Sequence, residues 1–153
     1  MKIYFIQAGG SIDKEYMPTD NNHGYNFTIG EPAVKSVLSK VDPDFKFEII
    51  PIVKKDSLDM NDDDRQEIYD ECQSIEGDRI IITHGTDRFL KTAKKLSTIK
   101  DKVIVLTGAR RPEKFNDSDA MFNIGVAIGA VNYLKKGIYI AMGGVVYPWN
   151  DYK

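Results

Sequence analysis

The chain has 153 residues, one domain's worth of sequence and enough to bury a sizeable core without disulfide or metal staples. Apolar residues make up 42% and charged residues 29% of it, which excludes the disordered, collagen-like and coiled-coil classes. Lys plus Arg is 21 against 23 for Asp plus Glu, a formal net charge of −2, and no stretch gathers the basic residues into a phosphate-tracking stripe, which argues against a nucleic-acid partner.

In chain order, the run Ile3 to Gln7 is the first expected strand. The apolar part of the start, Met1 to Gly10, is too short for a signal-peptide core or a membrane span, so the expectation is a cytoplasmic protein without a membrane partner. From Ala8 to Gly30 the sequence is rich in Asp, Asn, Gly and Pro without sustained periodicity. It reads as one long loop, and a loop of that length in a compact domain is expected to cover an active site. A helix is expected to open near Pro32, a favoured first-turn residue. A strand follows over Lys46 to Val53, then a helix from near Asn61, where Asp62, Asp63 and Asp64 complement the helix dipole. Arg79 to Thr83 is the next strand, with a helix from near Thr86, and Lys102 to Thr107 is the next. The last helix opens at Ser118, carries apolar residues at Met121, Ile124, Ile128 and Val131, and stops at Gly137 after Lys135 and Lys136. Gly137 to Met142 is the final strand, followed by the apolar tail Val145 to Trp149. Alternating strands and amphipathic stretches define the fold class: α/β, a single three-layer domain with a parallel, flavodoxin- or Rossmann-like sheet of about five strands.

In such a sheet the ligand sits beyond the carboxyl ends of the strands. The segments there are Ala8-Gly9-Gly10-Ser11, Lys55 to Asp59, His84-Gly85-Thr86-Asp87 and Gly108 to Pro112. Ser11, Ser57, Thr86 and Asp87 supply hydroxyls and a carboxylate next to helix N-termini, the parts needed to hold a small polar ligand and attack its carbonyl. Each also has a plain structural reading. Two glycines after a strand make a tight turn, and Thr86 and Asp87 are ordinary helix caps. His84 beside a glycine reads as a hydrogen-bonded core histidine, Cys72 as packing, and Lys135 with Lys136 as a solvated helix end. Neither the Gly-Lys-Ser/Thr phosphate loop nor Gly-x-Gly-x-x-Gly is present, which weakens a nucleotide reading. Asp59 to Asp70 departs from a calcium loop, with Asp64 at the glycine position and Asp70 at the final Glu. One cysteine and two scattered histidines leave no metal-ligand spacing, so neither a metal nor an organic cofactor is expected.

Taken in order, these segments resemble the N-terminal domain of bacterial-type L-asparaginases, which convert asparagine to aspartate and ammonia. Gln7-Ala8-Gly9-Gly10-Ser11-Ile12 is similar to the family's TGGTI turn, Asp56 to Asp62 to its GSQDMND segment, and Ile82-Thr83-His84-Gly85-Thr86-Asp87 to its ITHGTD motif. Thr107 to Pro112 and Ser118 to Asn123 are similar to TGAMRP and SADGPFN. The resemblance implies that Ser11 is the nucleophile and that Thr86 assists it or positions water. It further implies that Ser57 and Asp87 bind the substrate's carboxylate and amino groups, with Gly85 and Thr86 amides facing an oxyanion. A lid tyrosine would be replaced by Phe27, with Tyr16 and Tyr25 nearby, and the family's lysine, aligned along the last helix, falls at Val131.

The implied function is hydrolysis of the side-chain amide of L-asparagine or a related small amide through an acyl-enzyme, with residues 1–153 forming the whole unit, the family's C-terminal domain absent, and a homodimer completing the site. The alternative is a catalytically silent module that keeps Ser57 and Asp87 to bind an amino acid as a sensor or partner subunit, favoured by Val131 and Phe27. A third reading, a nucleoside-processing enzyme, rests only on the opening MKIYF and the Gly-rich turn.

Overall fold

The structure is a computed structural model that describes residues 1–17 and 26–153. Its centre is a six-stranded sheet built from β1 (Lys2–Gln7), β4 (Lys46–Pro51), β5 (Arg79–Thr83), β6 (Val103–Thr107), β7 (Gly137–Met142) and β8 (Val145–Pro148), in the order β4-β1-β5-β6-β7-β8. The first five of these are parallel and β8 runs antiparallel to β7. Strand alternation sends Ile80 and Ile82 to one face and Ile81 to the other, and all three are completely buried. One face packs on α2 (Asp62–Ser74) and α3 (Phe89–Leu96), the other on α1 (Ala33–Val41) and α4 (Ala120–Tyr133). The architecture is therefore the expected three-layer α/β domain, with one more strand than expected.

Local chemistry explains the helix starts. Asn61 closes a capping box, its Oδ1 accepting from Asp64 N at 2.9 Å while Asn61 N donates to Asp64 Oδ2 at 2.8 Å, so two orphan amides are satisfied reciprocally. At α1, Pro32 cannot cap with a side chain, and the carboxylate of Asp13 takes that role from a distance of twenty residues, accepting from Ala33 N at 2.7 Å. Lys102 is buried with its ammonium donating to the carbonyls of Ile75 and Gly77, which ties the end of α2 to the start of β6.

Three expectations are corrected. The segment 8–30 is not one structureless loop: Ser11–Asp13 form a 3-10 turn, and β2 (Lys14–Met17) pairs antiparallel with β3 (Asn26–Ile29). Each strand has only four residues and packs outside the main sheet, so no long alternation marks them. The tail from Val145 is a sheet edge strand followed by a 3-10 turn at Trp149–Asp151. The last helix ends at Tyr133, and its inward stripe is Ala120, Asn123, Ile124, Ala127 and Val131, with Met121 turned out and 45% exposed. Tyr25 lies outside the described residues.

Candidate functional site

The chain leaves β1 toward β4 on one side and returns to β5 on the other, so the crevice between the carboxyl ends of β1 and β5 is the topological switch point. Three loops meet there. Gly10 N donates to Lys55 O at 3.0 Å, Ala8 N to Thr83 O at 2.8 Å, and His84 N to Thr107 O at 2.9 Å. Gly10 has φ 89 and ψ −179, a region open essentially to glycine alone, and its Cα faces the Gly85 amide so closely that a Cβ would overlap it. Gly85 in turn lies against Ser57, whose Oγ would collide with any side chain there. This backbone stacking brings together Ser11, Ser57, Gly85 and Thr86 at one end of the sheet.

Exposure differs among them. Ser11 and Thr86 are half-buried, Asp87 is exposed, and Ser57 is 1% exposed with an Oγ that has no hydrogen-bond partner among the described residues. An orphaned buried hydroxyl is costly in an empty site and becomes satisfied when a polar ligand arrives. A cavity of about 460 Å³ opens beside Thr86, lined by Thr86, Asp87, Arg110, Met142, Tyr152 and Lys153 among others; Ser11 and Ser57 do not line it. Arg110 and Lys153 were not singled out from the sequence. Lys153 arrives because the chain turns back after β8, where the Tyr152 ring contacts Phe89 at 5.8 Å and Tyr147 at 5.6 Å between centroids. Nothing in the spacing of residues 149–153 signals that return.

The frame around the crevice is held by buried polar groups. His84 is completely buried, with Nδ1 2.8 Å from Gly85 O and Nε2 2.7 Å from Thr92 Oγ1. A carbonyl only accepts, so Nδ1 carries the proton and the Thr92 hydroxyl donates to Nε2. Burial pushes the His84 pKa down to about 4, which keeps the ring neutral and structural. Asn123 is also completely buried and bridges three segments: its amide donates to Gly108 O at 3.0 Å and Asp119 Oδ2 at 2.9 Å, and its Oδ1 accepts from Gly143 N at 3.0 Å. Burial pushes Cys72 up to about 12 and keeps it a thiol in the core.

Val131 is 1% exposed and lies in the core between α4 and the sheet. A lysine there would bury its ammonium against β-strand side chains, so the helix position assigned to the family's base is a packing position. The lysines that border the Thr86 cavity are Lys91 and Lys153.

The hairpin β2–β3 is rooted beside Ser11. Gly30 N donates to Asp13 O at 2.8 Å, Gln7 Nε2 donates to Gly30 O at 3.0 Å, and Lys14 pairs with Asp56 at 2.7 Å. Phe27 packs on Tyr16 with ring centroids 4.9 Å apart, and both lie 6.2 Å from Phe115. Two of the three expected lid residues thus sit in one aromatic cluster.

Asp13, the residue that ends the turn carrying Ser11, is 3% exposed, and its Oδ2 has no partner among the described residues. Burial pushes its pKa up to about 7, against the pull of Ala33 N, the Gln7 side chain and Lys54. The folded state therefore holds the Asp13 proton more tightly than the unfolded chain. Its stabilising contribution is complete below about pH 4 and is lost as pH rises through 7. Asp13→Asn keeps the acceptor for Ala33 N and removes the charge. It is expected to be more stable than the parent at pH 8, by up to about 4 kcal/mol for a shift of roughly three pH units, and to lose that advantage near pH 4. Urea unfolding across that range reads the difference, and parallel curves for the two proteins would contradict it.

An open α/β sheet with glycine-stacked loops at its switch point is a common setting for sites that take small polar ligands. The model of the asparaginase N-terminal family matches residues 2–153, and the chain belongs to that family. It is 30% identical over 162 residues to L-asparaginase 2 of Escherichia coli, and 36% identical over 162 residues to a probable periplasmic L-asparaginase of Haemophilus influenzae. Both alignments cover 97% of this chain and 45% of the relative, so the chain spans about half the length of the curated relatives it matches. Its fold is similar to that of the thermostable L-asparaginase from Thermococcus kodakarensis, with TM-score 0.84 and 24% identity over 97% of this chain and 46% of that one.

Proposed function

We propose that the chain is an asparaginase-like amidohydrolase that cleaves the side-chain amide of L-asparagine or a related small amide. The observation that supports this reading is the stacking of Gly10 on Gly85 and of Gly85 on Ser57, which brings together the loops that carry Ser11, Ser57 and Thr86. In this reading the Ser11 Oγ attacks the amide carbon and its proton passes to the departing nitrogen. The C–N bond breaks, ammonia leaves, and an ester remains on Ser11. Water held by Thr86 then attacks the ester, loses its proton back to Ser11 and releases the carboxylate product. The buried Ser57 hydroxyl and the exposed Asp87 carboxylate hold the carboxylate and amino ends of the substrate, and the amides at Gly85 and Thr86 face the developing oxyanion.

A proton relay needs a base near Thr86, and Lys153, on the wall of the same cavity, supplies the amine. Lys153→Ala is expected to lower kcat for ammonia release from L-asparagine by about 10² to 10⁴ fold with KM little changed. The assay is ammonia release from L-asparagine and L-glutamine by the purified chain. A Lys153→Ala protein as active as the parent removes Lys153 from the relay, and no release from either amide removes the reading for these substrates.

We further propose a cytoplasmic location and a homodimer. The uncharged helix α4 supports the homodimer, since it leaves Phe122 58% and Tyr133 91% exposed; the sedimentation mass at micromolar concentration decides it. Among the described residues no helix is long and apolar enough to cross a membrane. The silent binding module is the second reading. Phe27 favours it, because its ring carries no hydroxyl to activate Ser11. Stabilisation by aspartate or asparagine without ammonia release is its signature.

A further inference from the structure

A second cavity, of about 560 Å³, lies in the groove between α2 and α3 and is lined by Asp62, Arg65, Lys91, Lys94, Lys95 and Thr98. Four cations against one carboxylate is an odd balance for a chain with net charge −2, and helical geometry accounts for it. At 100° per residue, Lys91, Lys94 and Lys95 fall on one stripe of α3, and Thr98 lies in the turn just after it. On α2 the carboxylates of Asp63, Glu67, Asp70 and Glu71 are turned away from the stripe that holds Asp62, Arg65 and Tyr69. The α2–α3 groove is thus positive although α2 as a whole is acidic.

These cations are poorly neutralised. Among the described residues Lys91 and Lys94 have no ion pair, and Lys95 rests over the Tyr69 ring at 5.5 Å. Arg65 Nη1 donates to Asn61 O at 2.8 Å and pairs with Asp62 at 3.2 Å, but the Asp62 side chain is fully exposed while that of Arg65 is 7% exposed, and Arg65 Nε has no partner among the described residues. Lysines three and four residues apart on one helix repel, and a buried guanidinium that is incompletely bonded carries a desolvation cost. A bound polyanion offsets both. A ligand small enough for this volume that carries three or four negative charges has the charge density of linked phosphates, which lysines bind as point charges and arginine binds as a fork.

We propose that the groove between α2 and α3 binds a short phosphate chain, with Arg65, Lys91, Lys94 and Lys95 around it. Lys91 also lines the cavity beside Thr86, so the groove adjoins the candidate active site and a ligand anchored by its phosphates presents its other end there. The phosphate site stands on the groove itself and is separate from the amidohydrolase reading.

The test is calorimetric titration of the full chain with tripolyphosphate at low and physiological salt, alongside Lys91→Glu, Lys94→Glu and a control, Lys135→Glu, whose lysine is exposed after α4. One equivalent of saturable binding is expected. It weakens by at least about tenfold in either groove variant, changes by no more than about twofold in the control, and exceeds orthophosphate binding by at least about tenfold. Absence of saturable binding, an equal loss in the control, or orthophosphate binding as tightly as tripolyphosphate overturns the proposal. Ammonia assays on the parent and on Lys94→Glu, whose lysine does not line the Thr86 cavity, report on the amidohydrolase reading independently of these outcomes.

Discussion

Ser11→Ala is expected to lower ammonia release from L-asparagine by at least about 10³ fold, since loss of the attacking atom leaves only binding and oxyanion contacts to act on the amide. The side chain is half-buried at the start of a 3-10 turn, so its loss changes little packing, and the thermal midpoint is expected to stay within a degree or two of the parent's (roughly 0.5 kcal/mol or less). Stabilisation by aspartate is expected to persist, because the groups assigned to the carboxylate and amino ends are elsewhere. Ser11→Thr is the companion variant. It keeps the hydroxyl and is expected to retain activity within about tenfold of the parent. Undiminished turnover in the alanine protein would move the nucleophile to another hydroxyl, with Thr86 first in line, and would separate the activity from the Gly-Gly-Ser turn.

A larger effect on stability is expected from Gly10→Ala. The glycine sits at φ 89 and ψ −179, which costs an L residue about 1 to 3 kcal/mol. Its new Cβ also meets the Gly85 backbone, where no side chain can move aside, and overpacking of that kind adds about 1 to 3 kcal/mol. The sum is a large part of the 5 to 15 kcal/mol that holds a typical domain together. Relief requires the turn carrying Ser11 to separate from the loop carrying Thr86, so activity is expected to fall with stability. Gly129→Ala is the contrasting control: that glycine lies in α4 with nothing near its Cβ direction, and alanine there is expected to stabilise by about 0.4 to 1 kcal/mol. Urea unfolding of the three proteins gives the comparison. Equal effects at the two positions would deny that the Gly10 contact is special.

The central strands of the main sheet were legible because they are buried on both faces and therefore read as unbroken apolar runs, as in Ile80-Ile81-Ile82 and Val103 to Leu106. Helix α2 was legible from Asn61 and the acidic first turn, which form a local capping box. The hairpin was not, because its two strands of four residues are held by ties to distant residues, Asp13 to Ala33 and Lys14 to Asp56. Nor was the outward turn of Met121, since α4 is apolar around its circumference and periodicity gives its phase no anchor. At the candidate site, Ser11, Ser57, Thr86 and Asp87 could be named because each follows directly on a strand end or opens a helix. Arg110 lies in the segment named after β6 but was given no role there, and Lys153 could not be placed by that rule. Whether Lys153 reaches the cavity beside Thr86 depends on how the chain travels after β8, a three-dimensional matter with no local signature.

Main-chain contact, and not side-chain size, sets the separation between positions 11 and 86, because Gly10 and Gly85 touch through their backbones. The crevice is in that sense a rack with fixed slots. A thiol or a carboxylate installed at position 11 would occupy the same seat, with the same neighbours, as the hydroxyl it replaced. The reactive group can thus be exchanged one residue at a time while the holder stays unchanged, which makes this short chain a ready scaffold for trying other chemistries at a preset distance.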